Sequence, residues 1–278
     1  MTLAGDLRAF VAAIRKELRT VRRYPTQYIG LLFWPILLPA VYVLTGRMFS
    51  GGDQRAIEAF AARAGTTQFA GFVFVGFVMY MWLSQILWGP GTALRGEQIR
   101  GTLEAVFLTP SSRLVALFGP PVAALPNLVL TFVVMTVAMW LLFGVAIPLD
   151  GLLRAAVVTA AALPAMYAIG TVFAAGVLRF GEIGPVVQLV RGTLVLTSGI
   201  TFPVLMLPGW AQGLAAVMPP TYVVQDIRGV LLGGLGLSDI AADLAITVAL
   251  TILLTAIAVV VFRILERGAR RTGMLGRY

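Results

Sequence analysis

The chain has 278 residues, 59% of them hydrophobic and 12% charged, with a mean hydropathy of +0.92, a composition that a water-soluble domain of this size does not carry. Its formal charge of +9 sits mostly at the ends of apolar runs, where cations fix topology against anionic headgroups, so no nucleic-acid partner is implied. Cysteine and histidine are both missing, which excludes disulfides, Cys/His metal sites and imidazole chemistry.

In chain order, residues 6–23 read as an amphipathic helix. Leu7, Phe10, Val11, Ile14, Leu18 and Val21 follow the three-four spacing of one face, and Arg8, Arg15, Lys16, Arg19, Arg22 and Arg23 take the other. This is the pattern of a helix lying in the membrane interface within a cytoplasmic segment, residues 1–27; a helical basic tail that only sets topology gives the same pattern. The first apolar run, 28–45, is longer than a signal-peptide core and lacks a convincing small-residue cleavage site, so the N-terminus is expected to be retained.

Six spans are predicted, at 28–45, 69–88, 122–147, 155–178, 185–207 and 242–262. The fold class is therefore an all-α integral membrane protein with one six-span domain, 28–262, followed by a basic tail, 263–278. With the N-terminus inside, fifteen of the 21 Lys and Arg residues fall on the inner side and five outside, Arg191 being within a span. That bias predicts a multi-pass cell-membrane protein with both termini cytoplasmic. Pro35, Pro39, Pro126 and Pro164 lie within spans, where each removes a backbone donor. The segment 208–241, half apolar and broken by Pro208, Pro219 and Pro220, reads as short helices dipping into the outer leaflet.

A P-loop needs a lysine after a glycine-rich turn, and the sole lysine, Lys16, has no such loop before it. The chain is thus not an enzyme by itself, and an ATPase driving it would be a separate polypeptide. The first four spans contain no Asp or Glu, while Glu182, Asp226, Asp239 and Asp243 fall near an interface. This weakens, without removing, the alternative of a stand-alone ion-coupled secondary transporter. Arg191, six residues into the fifth span, can snorkel to headgroups, pair with Glu182, or touch cargo or a gate.

Between the second and third spans, residues 95–110 read as a short cytoplasmic helix. Glu97, Arg100 and Glu104 share one side, Leu103, Val106 and Phe107 an adjoining apolar one, and Pro110 stops the helix. Apolar anchors beside charges suit docking to a protein partner. A loop helix folded on its own bundle, with surface ion pairs contributing about 0–1 kcal/mol, fits the same pattern.

Glu97-x-x-Arg100-Gly101-Thr102-Leu103-Glu104 followed by Thr109-Pro110 resembles the coupling-helix signature of ABC type-2 exporter permeases, the daunorubicin-resistance permeases most of all. Ser198-Gly199 with Phe202-Pro203, then Leu207-Pro208 and Trp210, Pro219-Pro220-Thr221-Tyr222, and Asp226 with Arg228 are similar to that family's span-five and external pattern. The resemblance covers essentially the whole chain. It implies that two permeases, of the same or a related chain, pair in the membrane lipid, that each docks an ABC ATP-binding subunit, and that closure of those subunits opens the permease outward. ATP and Mg would be bound in the partner subunit, with no cofactor on this chain. Glu97, Arg100, Gly101, Thr102, Leu103 and Glu104 would form the coupling helix, and the N-terminal helix would be the connecting helix. Val106 stands where leucine is more usual.

Ser198, Gly199, Phe202 and Pro203 would break or widen span five near an outer gate, although Gly and Pro that simply cap the span read the same way. The resemblance further implies an amphipathic drug or lipid as cargo, as in multidrug efflux and antibiotic resistance. Phe33, Trp34, Phe74, Phe77, Tyr80, Thr193 and Thr197 are the candidates to line its path; aromatics that face lipid or pack on neighbouring helices explain them equally. Export of a polysaccharide or lipid-linked glycan is the alternative cargo class.

Overall fold

Long apolar runs interrupted by Gly, Pro and polar turns leave helix as the way to satisfy the backbone in hydrocarbon. The computed structural model describes residues 25–50, 53–99, 113–180 and 184–271, together with Gly5, Arg8, Val11, Ala12, Arg15, Arg19, Arg22 and Arg23. Among these residues there are α-helices and one 3-10 turn, and no strand. The helices are α1 (Pro25–Ser50), α2 (Gln54–Ala64), α3 (Phe69–Ile99), α4 (Arg113–Phe143), α5 (Leu149–Phe180), α6 (Gly184–Thr197), α7 (Gly209–Ala216), α8 (Pro219–Leu232) and α9 (Ala241–Arg271), with the 3-10 turn at Val204–Met206.

Each of the six predicted spans is helical over much of its length, the third to Phe143 and not to 147. Phe69–Gly89, Leu149–Val177 and Ala241–Leu265 are long and apolar enough to cross a membrane, and Phe33–Phe49 and Leu128–Phe143 are shorter apolar stretches. The fifth differs from expectation. It was predicted to run over 185–207, but α6 ends at Thr197 after 14 residues, about 21 Å at 1.5 Å per residue, short of the ~30 Å of hydrocarbon. The reason lies in Ser198-Gly199: Gly199 adopts φ +75, a left-handed conformation that glycine takes without the Cβ penalty, and the helix cannot continue through it.

The chain's centre is α3 and α5, which pack on one another, with α9 laid along α5 and α4 along α3. Phe74, Met79, Leu83 and Ile86 of α3 and Val158, Ala162 and Met166 of α5 are fully buried. By contrast α9 turns Ile252, Leu253, Val260 and Ile264 outward, as a helix bordered by lipid does. Hydroxyls within the helices mostly donate to their own backbone, as Thr136 does to Phe132 O (2.8 Å) and Thr171 to Tyr167 O (2.8 Å), which removes the cost of a bare polar group.

In 208–241 the expectation of short helices holds. Pro219 and Pro220 open α8 at positions where a missing N–H costs nothing, and α8 then packs on α5, α9 and α3. It is buried on nearly every side, from Pro219 to Leu231, as a core helix is. An element absent from the sequence reading is α2, between the first two spans. Asp53 accepts from Arg55 N at its start (3.0 Å), and Phe60 meets the rings of Phe69 and Phe72, each at 5.3 Å.

Candidate functional site

The turn that ends α6 is tied to α3 by one side chain. Arg228, on α8, is 6% exposed. Its Nη1 donates to Gly199 O (2.6 Å), and its Nη2 donates to Ile200 O (2.9 Å) and Phe72 O (3.1 Å). The guanidinium lies 3.3 Å from the centroid of the Phe72 ring, in cation–π contact. A planar fork with several donors suits acceptors arrayed in this way, which a lysine could not meet. The carbonyls of Gly199 and Ile200 are available because α6 has stopped. Gly76 lets the pieces meet: a Cβ there would strike Ile200 O and lie 2.8 Å from Arg228 Nη2.

Arg228 was expected as a positive charge in an external loop, and Asp226 likewise outside; both are instead buried, at 6% and 2% exposure. The alternating pattern of α8 explains the error, since charges two residues apart on a short helix between prolines look like surface residues in sequence. Burial lowers the Arg228 guanidinium to about 9, so it remains a cation at neutral pH. Burial first, and the charge of Asp243 second, push the Asp226 carboxyl up to about 7, and its Oδ2 has no hydrogen-bond partner among the described residues.

Of the predicted outer-gate residues, Ser198 and Gly199 are buried beneath this clamp and Pro203 is buried beside it, while Phe202 is 48% exposed. Cβ substitution at Gly199 would also meet Val204 Cγ2 at 2.8 Å. These residues therefore do more than cap a span: they form the junction of α6 with α3 and α8.

The predicted path residues separate into three groups. Phe77 and Tyr80 are half-buried on α3 with ring centroids 5.5 Å apart. Tyr42 of α1 lies 6.4 Å from Phe77, and Arg191 of α6 lies over Tyr80 at 5.4 Å, its Nη1 3.5 Å from Ser84 Oγ. Phe33 and Trp34 stack edge to face elsewhere on α1, both more than half exposed. Phe74 is fully buried and turns away from that row, toward Phe132 of α4. Thr193 is exposed and Thr197 buried, and both hydroxyls donate within α6, to Leu189 O and Thr193 O, so neither is a free donor to a cargo. Sequence reasoning missed Tyr42 and Ser84. Tyr42 could have been found, because it is the one tyrosine deep in the first span.

Arg191 thus reaches α3 rather than running to one surface. Tyr80 is near the middle of the 21-residue apolar window Phe69–Gly89. Glu182, its other predicted partner, lies outside the described residues.

The predicted coupling segment falls largely outside them too. α3 continues to Ile99, so the backbone of 95–99 extends the second span instead of opening a separate helix. Arg100, Gly101, Thr102, Leu103 and Glu104, and the side chain of Glu97, are outside the described residues. In the N-terminal segment the described residues, Gly5 to Arg23, are all helical and exposed, in keeping with the predicted helix.

The sequence profile of the ABC-2 type transporter family matches residues 8–232, which takes in the N-terminal segment, α1 to α7 and all of α8. Among curated proteins, no sequence matches the chain significantly.

Proposed function

From a chain that belongs to the ABC-2 type transporter family, and is thereby the membrane subunit of an ABC transporter, we propose an ATP-driven exporter permease that moves an amphipathic drug or lipid-like molecule outward. A second permease and a separate ATP-binding subunit complete it. The observation that carries this reading is Arg191, half-buried over Tyr80 on the face formed by α1, α3 and α6, at the middle of the apolar window of α3, which this reading sets near mid-membrane. A cation at that depth is costly against lipid and is found facing a bundle interior or a wet cavity. The Tyr42–Phe77–Tyr80 row beside it offers apolar area and aromatic faces, the chemistry an amphipathic cargo requires. This face is where the second permease packs, and the path runs between the two copies.

In this reading the clamp at Arg228, with Ser198, Gly199, Phe202 and Pro203, is the outer gate in its closed form. Opening it separates α6 from α3, which breaks the bonds to Gly199 and Ile200 while Arg228 keeps Phe72. The segment Glu97, Arg100, Gly101, Thr102, Leu103 and Glu104 docks the ATP-binding subunit on the cytoplasmic side, where both termini also lie. ATP and Mg belong to that subunit.

One observation favours the competing reading of an ion-coupled carrier: Asp226 is buried with an oxygen that has no partner among the described residues, as an ion-binding carboxylate is. The two are separated by co-purifying the chain with its neighbouring gene products and assaying ATPase activity and transport. The exporter reading expects a P-loop ATPase in a one-to-one ratio, with coupled turnover reduced by Glu104→Lys in a chain that still inserts. Transport by the permease alone under an ion gradient, lost in Asp226→Asn, would establish the carrier instead.

A further inference from the structure

Behind α3, on the side away from the Tyr80 row, a cavity of about 310 Å³ lies between α3, α4, α5 and α8. Its floor includes Phe74, Met79 and Trp82, all nearly or fully buried, and Ile227 and Leu231 of α8 cover one end. It exists because the face of α5 turned toward it carries small residues between Leu152 and Leu163. Ala155, Ala156 and Ala160 line it, and α4 and α5, though consecutive, barely touch. At its mouth Val129, Ala156 and Ala160 are exposed, and the neighbouring outward residues, Val133, Leu153 and Val157, are apolar. The opening therefore faces hydrocarbon.

We propose that this cavity holds one acyl chain of a membrane lipid, entering sideways between α4 and α5. The lining is almost wholly apolar: its polar side-chain atoms are Thr159 Oγ1, which donates to Ala155 O at 2.8 Å, and the indole N–H of the buried Trp82, fewer partners than an ordered water needs, and such a site stays dry. Left empty, it would deprive the surrounding side chains of van der Waals contact. It also offers no charged side chain to hold a headgroup, so the headgroup remains outside and only the hydrocarbon enters. The volume is at the small end of ligand sites, which fits a single chain and not a bulky cargo. α3 separates it from the path proposed above, and the inference needs only that the chain is membrane-embedded, whatever the transporter exports. The acyl chain would rest against Ile227, the neighbour of Arg228, and so support the helix that carries the clamp.

Trp82 provides the test. The full chain is reconstituted, without ATP-binding subunit or cargo, in nanodiscs of phosphatidylcholine brominated along its acyl chains, and the Trp82 contribution to emission is taken as wild type minus Trp82→Phe. At 3% exposure a tryptophan sealed in protein keeps its emission, whereas a chain in the cavity quenches Trp82 as strongly as the outward Trp140, 58% exposed. Filling the mouth with Ala156→Phe and Ala160→Phe should restore Trp82 emission and leave Trp140 quenched; if that double variant does not fold, Ala156→Leu alone is read in the same way. Trp82 emission unchanged by bromine, or quenching that persists in a folded filled variant, overturns the proposal. Because only lipid is brominated and no cargo is present, the quenching identifies lipid as the source of the chain.

Discussion

Two arginines sit in fourteen-residue helices, Arg191 on α6 and Arg228 on α8, and are held in opposite ways. Arg228 meets three carbonyls and a ring at 3.3 Å. Among the described residues Arg191 has one long contact to a hydroxyl, at 3.5 Å, and a ring at 5.4 Å. The difference follows from what surrounds each one. A helix that ends leaves carbonyls without donors, and Arg228 fills that need where α6 stops. Arg191 runs beside α3 farther along, where among the described residues it meets only side chains, whereas Arg228 also takes Phe72 O from that same helix. The break at Gly199 supplies the other two of the acceptors that make Arg228 structural.

The largest break in this comparison is expected from Arg228→Ala. Each buried carbonyl left without a donor costs about 1–3 kcal/mol, and removing one partner from a buried charged cluster costs about 3–5 kcal/mol. A loss near 3 kcal/mol, read as a marked fall in thermal midpoint in mild detergent, is the expected result. Arg228→Lys should recover only part of it, because an ammonium cannot reproduce the planar fork. An unchanged midpoint in the alanine variant would remove the clamp from the stability of the fold.

Asp226→Asn should have a smaller effect, and one that depends on pH. The folded carboxyl sits at about 7, above its ordinary 3.8, so the folded state retains a proton that the unfolded chain releases. The stability of the wild type is then fullest below about pH 4, declines as pH rises toward 7, and is flat beyond. The variant, free of that penalty, is expected to melt higher than the wild type at pH 8 and to match it near pH 4. Equal midpoints at both pH values would place the Asp226 carboxyl in a more solvated setting than its burial implies.

Arg191→Ala should have the smallest effect on stability, within about 1 kcal/mol as for loosely held charges, while slowing transport several-fold. Loss of stability comparable to Arg228→Ala would erase the contrast, and unchanged transport would remove Arg191 from the path.

The spans were legible in the sequence because hydropathy over twenty residues is set by the bilayer and depends little on neighbours. The end of α6 was legible in part: Ser198, Gly199, Phe202 and Pro203 were read as a break or widening, but Val195, Leu196, Ile200, Val204 and Leu205 keep the sequence apolar through it, so the span was still drawn to 207. The buried state of Arg228 was illegible for a related reason. Its acceptors are 28, 29 and 156 residues away in sequence, and no local pattern reports a long-range carbonyl. The helix α2 could have been read from Asp53 as a cap, with Ile57, Phe60 and Ala64 at helical spacing. The aromatic row was half legible: Phe77 and Tyr80 were identified as candidates, but Phe74, one turn earlier, serves the other face of α3.

The early end of α6 also bears on the membrane itself. Beyond Thr197 the missing length is occupied by the 3-10 turn and α7, where Leu205, Met206 and Trp210 are 70%, 58% and 74% exposed. If that apolar wedge lies in one leaflet, as the sequence pattern of 208–241 predicts, the two monolayers meet different protein cross-sections. Lateral pressure and thickness in that one monolayer would then act on the wedge at fractions of a kcal/mol per Å of mismatch, and through it on the end of α6. The composition of a single leaflet would thereby become a mechanical input to the junction that Arg228 holds.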